Sequence, residues 1–192
     1  MTSGLIYQPV LFLDFDDVIC LNKTCGGYDV LLAISQVKNG QSASLDGGEF
    51  RDLWAQLFDA DAKAHLHLLH KEFSPSYVLS TSWRKFMDKD SFVAVLRRSG
   101  LGFVADNLHP DWKTPTEFSA PDRAREISHW LSRHPDVEGR WVVLDDELSG
   151  TGFAHWPSPE LMPYLVFCKE SVGITAIEFE KLREAFQRRR AS

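Results

Sequence analysis

The sequence predicts an α/β fold built on a parallel sheet, and three observations carry that prediction. Short, unbroken apolar runs recur along the chain, of the length and character of strands buried on both faces. Between them lie segments whose apolar residues fall three and four apart, as in helices that cross from one parallel strand to the next. Several of the runs end in acidic or hydroxyl residues, which places polar chemistry at strand tips, where open α/β sheets bind ligands.

Taken in order, Val10-Leu11-Phe12-Leu13 is the first strand, followed at once by Asp14-Phe15-Asp16-Asp17. Residues 22–54 are rich in Gly, Ser, Asn and Lys with poor periodicity, and read as a flap or small insertion within one domain spanning 1–192. Residues 55–73 read as one helix, with Leu66, Leu69 and Phe73 on its inner face. Tyr77-Val78-Leu79 is a second strand, ending in Ser80-Thr81-Ser82. A short helix over 91–98 is stopped by Gly100, and Phe103-Val104-Ala105 is a further, shorter strand candidate. Residues 121–134 form a helix with Pro121 near its start and Ala124, Ile127 and Leu131 on one face. Trp141-Val142-Val143-Leu144 is a strand ending in Asp145-Asp146, and Tyr164-Leu165-Val166-Phe167 is another. Thr175-Ala176-Ile177-Glu178 is a capping box that opens a C-terminal helix with Phe179, Leu182 and Phe186 inward.

The bulk properties are those of a globular protein. The chain has 192 residues, 44% of them hydrophobic and 25% charged, enough to bury a core without disulfides. Its net charge of −6 argues against a general nucleic-acid binder. The dense basic run Arg188-Arg189-Arg190 reads as a solvated tail. Three cysteines, Cys20, Cys25 and Cys168, are an odd number without metal-type spacing, which points to a reducing, cytoplasmic setting. No segment reads as a membrane span or signal peptide.

Folding the sheet brings the tips after Leu13, Leu79 and Leu144 together, so several carboxylates crowd one site. Like charges at that range repel unless a cation neutralises them, and oxygen donors alone select a hard ion, magnesium first. Magnesium among carboxylates and beside hydroxyls makes a phosphate site. Asp14 and Asp16 are two apart on an extended segment, so one can attack phosphorus while the other handles protons. Other candidates carry less. His65, His67 and His70 share a helix without a completing ligand and read as a packed or exposed face, and Trp83, Trp130 and Trp141 read as core.

The order of these motifs resembles the haloacid dehalogenase (HAD) superfamily: a strand with Asp-x-Asp over 10–17, a strand ending in Ser or Thr over 78–82, and a strand ending in paired acids over 142–146. More closely, the chain is similar over residues 10–185 to the HAD domains of Swiss Army Knife RNA-repair proteins. That match is carried by Leu79-Ser80-Thr81-Ser82-Trp83-Arg84, Arg123-Ala124-Arg125-Glu126-Ile127, Trp130-Leu131, His134-Pro135, Leu144-Asp145-Asp146 and Gly173-Ile174-Thr175. The resemblance implies a Rossmannoid HAD-like sheet without a large cap and a magnesium-dependent phosphatase or phosphotransferase. It implies Asp14 as the nucleophile that forms an aspartyl-phosphate, and Asp16 as general acid and base. Ser80 or Thr81, with Thr81 preferred, would hold a phosphate oxygen. Asp145 and Asp146 would bind magnesium with Asp14 and Asp16.

Arg123 is the expected cation that steadies phosphate and nucleophile, with Lys113 the alternative. Ser82 and Arg84 complete the expected phosphate contacts, although Arg84 and Lys85 also suit surface salt bridges. The superfamily's usual glycine after the second aspartate is replaced here by Asp17, which tolerates unusual backbone angles but adds a charge beside the site. The resemblance points to phosphorylated RNA or DNA ends as substrate. A phosphatase of nucleotides or small metabolites, and a weakly catalytic binding module, are the alternative readings. Oligomeric state is not encoded in any motif.

Overall fold

The computed structural model describes residues 8–23, 25–38, 53–116, 122–149, 152–153 and 159–191. Among them, five strands form one all-parallel sheet: β1 (Val10–Leu13), β2 (Ser76–Leu79), β3 (Leu108–Lys113), β4 (Trp141–Asp146) and β5 (Leu165–Cys168), in the spatial order β3-β2-β1-β4-β5. The expected α/β class is the observed one. The order reverses at β1, the central strand, so the crevice between β1 and β4 is a topological switch point.

Strand residues alternate between two apolar layers, which is why the runs read as continuously hydrophobic. Leu11, Leu13, Tyr77, Leu79, Val142 and Leu144 face a core shared with the helices α3 (Ala60–Phe73), α4 (Lys89–Arg98) and α7 (Ala176–Ala191). Val10, Phe12, Val78, Trp141 and Val143 face the other, built on α6 (Arg123–Ser132). There Phe12 meets Trp130 edge-on at 5.2 Å. Trp83, Trp130 and Trp141 are all core residues, as expected.

Two features depart from expectation, and two further segments are defined more closely. The helix expected over 55–73 is two, α2 (Leu53–Gln56) and α3, because Asp59 caps α3 by accepting from the amides of Asp61 and Ala62 at 3.1 and 3.0 Å. Leu66, Leu69 and Phe73 are buried as expected, and each such side chain contributes roughly 1.5–3 kcal/mol. Phe103-Val104-Ala105 is not a strand but part of the short helix α5 (Gly102–Asp106). The strand follows it as β3, whose sequence Leu-His-Pro-Asp-Trp-Lys is half-exposed and holds a proline that only an edge strand tolerates. Within 22–54, the described residues include a 12-residue helix, α1 (Gly27–Lys38), with Val30, Ala33 and Ile34 in the core. Pro121 lies outside the described residues, and α6 opens at Arg123 with Asp122 as its cap, accepting from the Arg125 amide at 3.0 Å.

The basic run at the C-terminus is not simply a solvated tail. Arg189 is 8% exposed, donates to the Trp141 carbonyl at 3.1 Å and lies over the rings of Tyr164 and Trp141, while Arg190 donates to the Glu72 carbonyl at 2.9 Å. These contacts fasten α7 to the sheet end opposite the acidic tips. The capping box is formed as expected, with Thr175 Oγ1 accepting from the Ile177 amide at 3.1 Å and Glu178 accepting from the Thr175 amide at 3.2 Å. The histidines of α3 pack against aromatic neighbours: His67 stacks on Phe103, and His70 Nδ1 lies 3.0 Å from the Tyr77 hydroxyl.

Candidate active site at the carboxyl ends of β1, β2 and β4

Three backbone bonds carry the sheet one residue beyond its strands and set the tips in register. The Asp14 amide donates to Leu144 O at 3.0 Å, the Ser80 amide to Leu13 O at 2.9 Å and the Thr114 amide to Leu79 O at 3.0 Å. Asp14, Ser80 and Asp145 therefore stand side by side, each just past a paired leucine or at the end of β4.

The chain then turns sharply. The amides of Ile19 and Cys20 both donate to Phe15 O, at 3.0 and 2.8 Å, and Asp17 adopts a left-handed conformation with φ of 57°. Asp17 thus fits the turn where glycine is usual. Its carboxylate accepts from the Ser171 amide at 2.8 Å, tying the turn to the loop after β5. Gly173 lies in that loop with φ of 75°, and a Cβ there would come within 2.8 Å of Val18 O, so only glycine permits the approach.

Asp14, Asp145 and Asp146 are all buried, with one oxygen of each within 4.8 Å of the others. Arg123, at the first turn of α6 and 9% exposed, binds them together: Nη2 donates to Asp14 Oδ1 at 3.2 Å and Nε lies 2.8 Å from Asp145 Oδ2. Its third arm, Nη1, donates to Glu126 at 3.3 Å. Burial and the neighbouring Asp145 push the Asp14 carboxyl well above the usual carboxylate range, against the pull of Arg123. Burial raises Asp145 to about 6, Arg123 opposing. Burial pulls the Arg123 guanidinium down, but the carboxylates of Asp145, Asp14 and Glu126 outweigh it and the group titrates above its ordinary value.

Asp16 does not join the acidic group. Its carboxylate accepts from Trp83 Nε1 at 3.2 and 3.0 Å and from Ser82 Oγ at 3.2 Å. Burial raises its pKa, and these two donors oppose the rise. The expectation of Asp16 as a fourth carboxylate ligand therefore differs from the geometry, in which its oxygens are committed to the turn after β2.

Arg84 also differs from expectation. It is 3% exposed, and its guanidinium donates to the carbonyls of Ser80, Thr81, Thr114 and Pro115 and to the Glu126 carboxylate. All of it is spent on holding the loops after β2 and β3, none on a substrate phosphate. Lys113 ends β3 beside Leu79, half-buried, with its ammonium 5.2 Å from the centre of the Trp112 ring. Of the two hydroxyls, Thr81 Oγ1 accepts from the Trp83 amide at 3.4 Å as a cap, whereas Ser80 Oγ is buried without a partner. Ser80 is thus the free hydroxyl next to Asp14, although the sequence favours Thr81.

Two participants carry no signal that sequence reasoning used. Glu126 braces both arginines, and its place three residues after Arg123 on a helix was the available clue. The Trp83 indole reads from sequence as core, and nothing in the sequence says that its N–H reaches Asp16.

The donor set fits a divalent cation. Among the described residues, the buried carboxyl groups of Asp14, Glu126, Asp145 and Asp146 outnumber the neighbouring buried guanidiniums of Arg84 and Arg123 by four to two. All available donors in the acidic group are oxygens, which suits magnesium.

A doubly wound parallel sheet with an aspartate at the tip of its central strand and paired acids on the neighbouring strand defines a Rossmannoid domain of the HAD type. The family model described as the HAD domain in Swiss Army Knife RNA repair proteins matches residues 10–179, and the chain belongs to that family. Membership supports a HAD-type phosphatase or hydrolase, and HAD domains generally use magnesium. Searches of curated proteins and of solved structures gave no match. Among the described residues no helix is long and apolar enough to cross a membrane.

Proposed function

We infer that the protein is a magnesium-dependent phosphomonoester hydrolase that works through an aspartyl-phosphate on Asp14 and acts on phosphorylated nucleic-acid ends. The observation that carries this reading is the setting of Asp14: a buried carboxylate, steadied by Arg123 at 3.2 Å, beside the unpartnered Ser80 hydroxyl and grouped with Asp145 and Asp146. Burial and Asp145 oppose its ionisation while Arg123 favours it, and a bound cation would favour the charged form further.

In this reading an Asp14 oxygen attacks phosphorus, and Asp16 protonates the leaving oxygen and later deprotonates water. Ser80 and Thr81 hold a phosphate oxygen, and Arg123 keeps the nucleophile aimed and balances its charge. Asp14, Asp145 and Asp146 would hold magnesium, which would neutralise the charge on the phosphoryl oxygens. Lys113, half-buried at the tip of β3, is a further cation for the substrate. The family's description supports an RNA end as the substrate class. The described part of residues 22–54, which includes α1, would serve as a small flap within a single domain, and the three free cysteines suit a cytoplasmic setting.

The test is phosphate release from p-nitrophenyl phosphate, mononucleotides, sugar phosphates and RNA or DNA carrying terminal phosphates, with magnesium and with chelator. Magnesium-dependent release that Asp14→Asn abolishes, fastest on the nucleic-acid ends, is expected. Fastest release from a mononucleotide or sugar phosphate would replace the substrate class, and full activity in Asp14→Asn would end the mechanism.

A further inference from the structure

The loop that carries Asp14 and Asp16 leads into α1, and the first residue of that helix lies against the Trp83 indole. A Cβ on Gly27 would stand 2.6 Å from Trp83 Nε1, 2.9 Å from Cε2 and 3.1 Å from Cζ2. These atoms belong to a rigid ring that is 1% exposed. Phe15 meets it edge-on at 5.2 Å and Phe58 stacks on it at 6.1 Å. A ring so enclosed cannot swing aside as the end of a long side chain does. To restore ordinary van der Waals contact, ring and helix would have to separate by roughly 0.8 Å.

The atom nearest to that missing Cβ is the one that holds Asp16. Trp83 Nε1 donates to Asp16 Oδ1 at 3.2 Å and Oδ2 at 3.0 Å, and Ser82 Oγ donates to Oδ2 at 3.2 Å. Oδ2 thus receives two donors and Oδ1 only the longer arm of one. In a carboxylic acid the oxygen filled by donors is the acceptor, and the proton sits on the other.

We propose that Gly27 is a positioning residue for the general acid: by leaving room for the Trp83 N–H, it fixes the rotation of the Asp16 carboxyl so that Oδ1 carries the transferable proton. The inference rests on the aspartyl-phosphate reading. In the first half-reaction an Asp14 oxygen forms a bond to phosphorus, the bond from phosphorus to the leaving oxygen breaks, and that oxygen takes the proton from Asp16 Oδ1. In the second, water oxygen forms a bond to phosphorus, the bond to Asp14 breaks and restores its carboxylate, and Asp16 recovers a proton from the water. Gly27 touches none of the reacting atoms. It acts through the indole, because a displacement of this size takes a bond of 3.0–3.2 Å beyond hydrogen-bonding range.

A displaced acid has a kinetic signature that general loosening of the fold lacks. p-Nitrophenolate leaves readily without a proton, whereas an alkoxide does not. Turnover of p-nitrophenyl phosphate and of glycerol 2-phosphate is measured with magnesium for the full chain and for Gly27→Ala, Trp83→Phe and the double variant. Gly26→Ala serves as comparator, since its Cβ would meet the side chain of Asn22 and not the indole.

Gly27→Ala is expected to lower kcat/KM on glycerol 2-phosphate by roughly 10- to 100-fold, and on p-nitrophenyl phosphate by less than about 3-fold; kcat/KM reads the half-reaction in which the leaving oxygen takes its proton, whereas kcat also contains the aspartyl-phosphate hydrolysis that both substrates share. Trp83→Phe should do the same, and the double variant should be no worse than Trp83→Phe alone, since both act on one bond. If Gly27→Ala does not fold, the smaller ring in the double variant should restore folding. Equal losses of kcat/KM on both substrates, the same pattern in Gly26→Ala, additive losses, or no restored folding would each overturn the proposal while leaving the phosphatase reading intact. Absence of phosphate release from the unaltered chain would overturn both.

Discussion

Arg84 and Glu126 form an ion pair sealed from solvent, with side chains 1% and 5% exposed, between the turn after β2 and the first turn of α6. The same Glu126 oxygen also receives Arg123, the residue that steadies Asp14. A carboxylate that touches no substrate therefore connects the frame of the site to its nucleophile.

Removing one partner of such a pair leaves a buried charge uncompensated, at about 3–5 kcal/mol. Glu126→Ala is expected to lower the melting temperature sharply, and activity should fall even at temperatures where the variant remains folded, because Arg123 loses its brace. Thermal melts alongside kcat on p-nitrophenyl phosphate check this. A variant as stable and active as the unaltered chain would show that the two arginines do not depend on Glu126.

The contribution of Asp14 and Asp145 to metal-free stability should fall as pH rises. Burial raises Asp145 from the ordinary 3.8 to about 6, and Asp14 is raised too. Between those values the folded protein holds protons that the unfolded chain has released, so its stability declines as pH rises through that window, and the full cost is present above it. For Asp145 the cost is at most about 3 kcal/mol. His70 and His109, both lowered by burial, act the other way over the same range, so the carboxyl contribution is read as the difference between chelator-treated unaltered chain and Asp145→Asn, which should favour the unaltered chain more near pH 5 than near pH 8. Asp145→Asn should also raise the metal-free melting temperature at pH 8. Magnesium should stabilise the unaltered chain more at pH 8 than at pH 5, since protons and metal compete for the same oxygens. A metal-free melting temperature that climbs from pH 5 to 8 in the unaltered chain, but not in Asp145→Asn, would reverse the assigned electrostatics.

Asp17→Gly should separate backbone strain from charge. Glycine relieves the left-handed conformation at φ of 57°, and loses the bond from the Ser171 amide to the Asp17 carboxylate. Each effect is about 1 kcal/mol and they oppose, so the melting temperature should move little. The magnesium concentration for half-maximal activity should stay within about 2-fold, because this carboxylate faces the loop after β5 and not the acidic group. A large change in that concentration would place Asp17 among the metal ligands.

The strands with a dry environment on both faces were legible from sequence. β1, β2, β4 and β5 read as apolar runs because Leu11 and Phe12, or Val142 and Val143, must satisfy opposite layers at once. The edge strand β3 was not, because one side lacks a neighbour and Pro110 and Asp111 are tolerated there. The break before α3 was missed for a related reason: Asp59 interrupts a helical pattern only if its side chain turns back to cap, which the pattern does not record.

The sequence by itself determined the sheet class and placed Asp14, Ser80-Thr81-Ser82 and Asp145-Asp146 at strand tips, because apolar strand runs and their polar ends are local patterns. It could not decide where flexible or amphipathic side chains aim. Arg84 reads equally well as a phosphate ligand, Asp16 as a metal ligand and Trp83 as plain core. Only the tertiary structure committed Arg84 to four carbonyls and Glu126, and Asp16 to the indole N–H. The physical reason is that a buried polar group must find partners, and those partners come from segments far apart in the chain whose meeting no local pattern encodes.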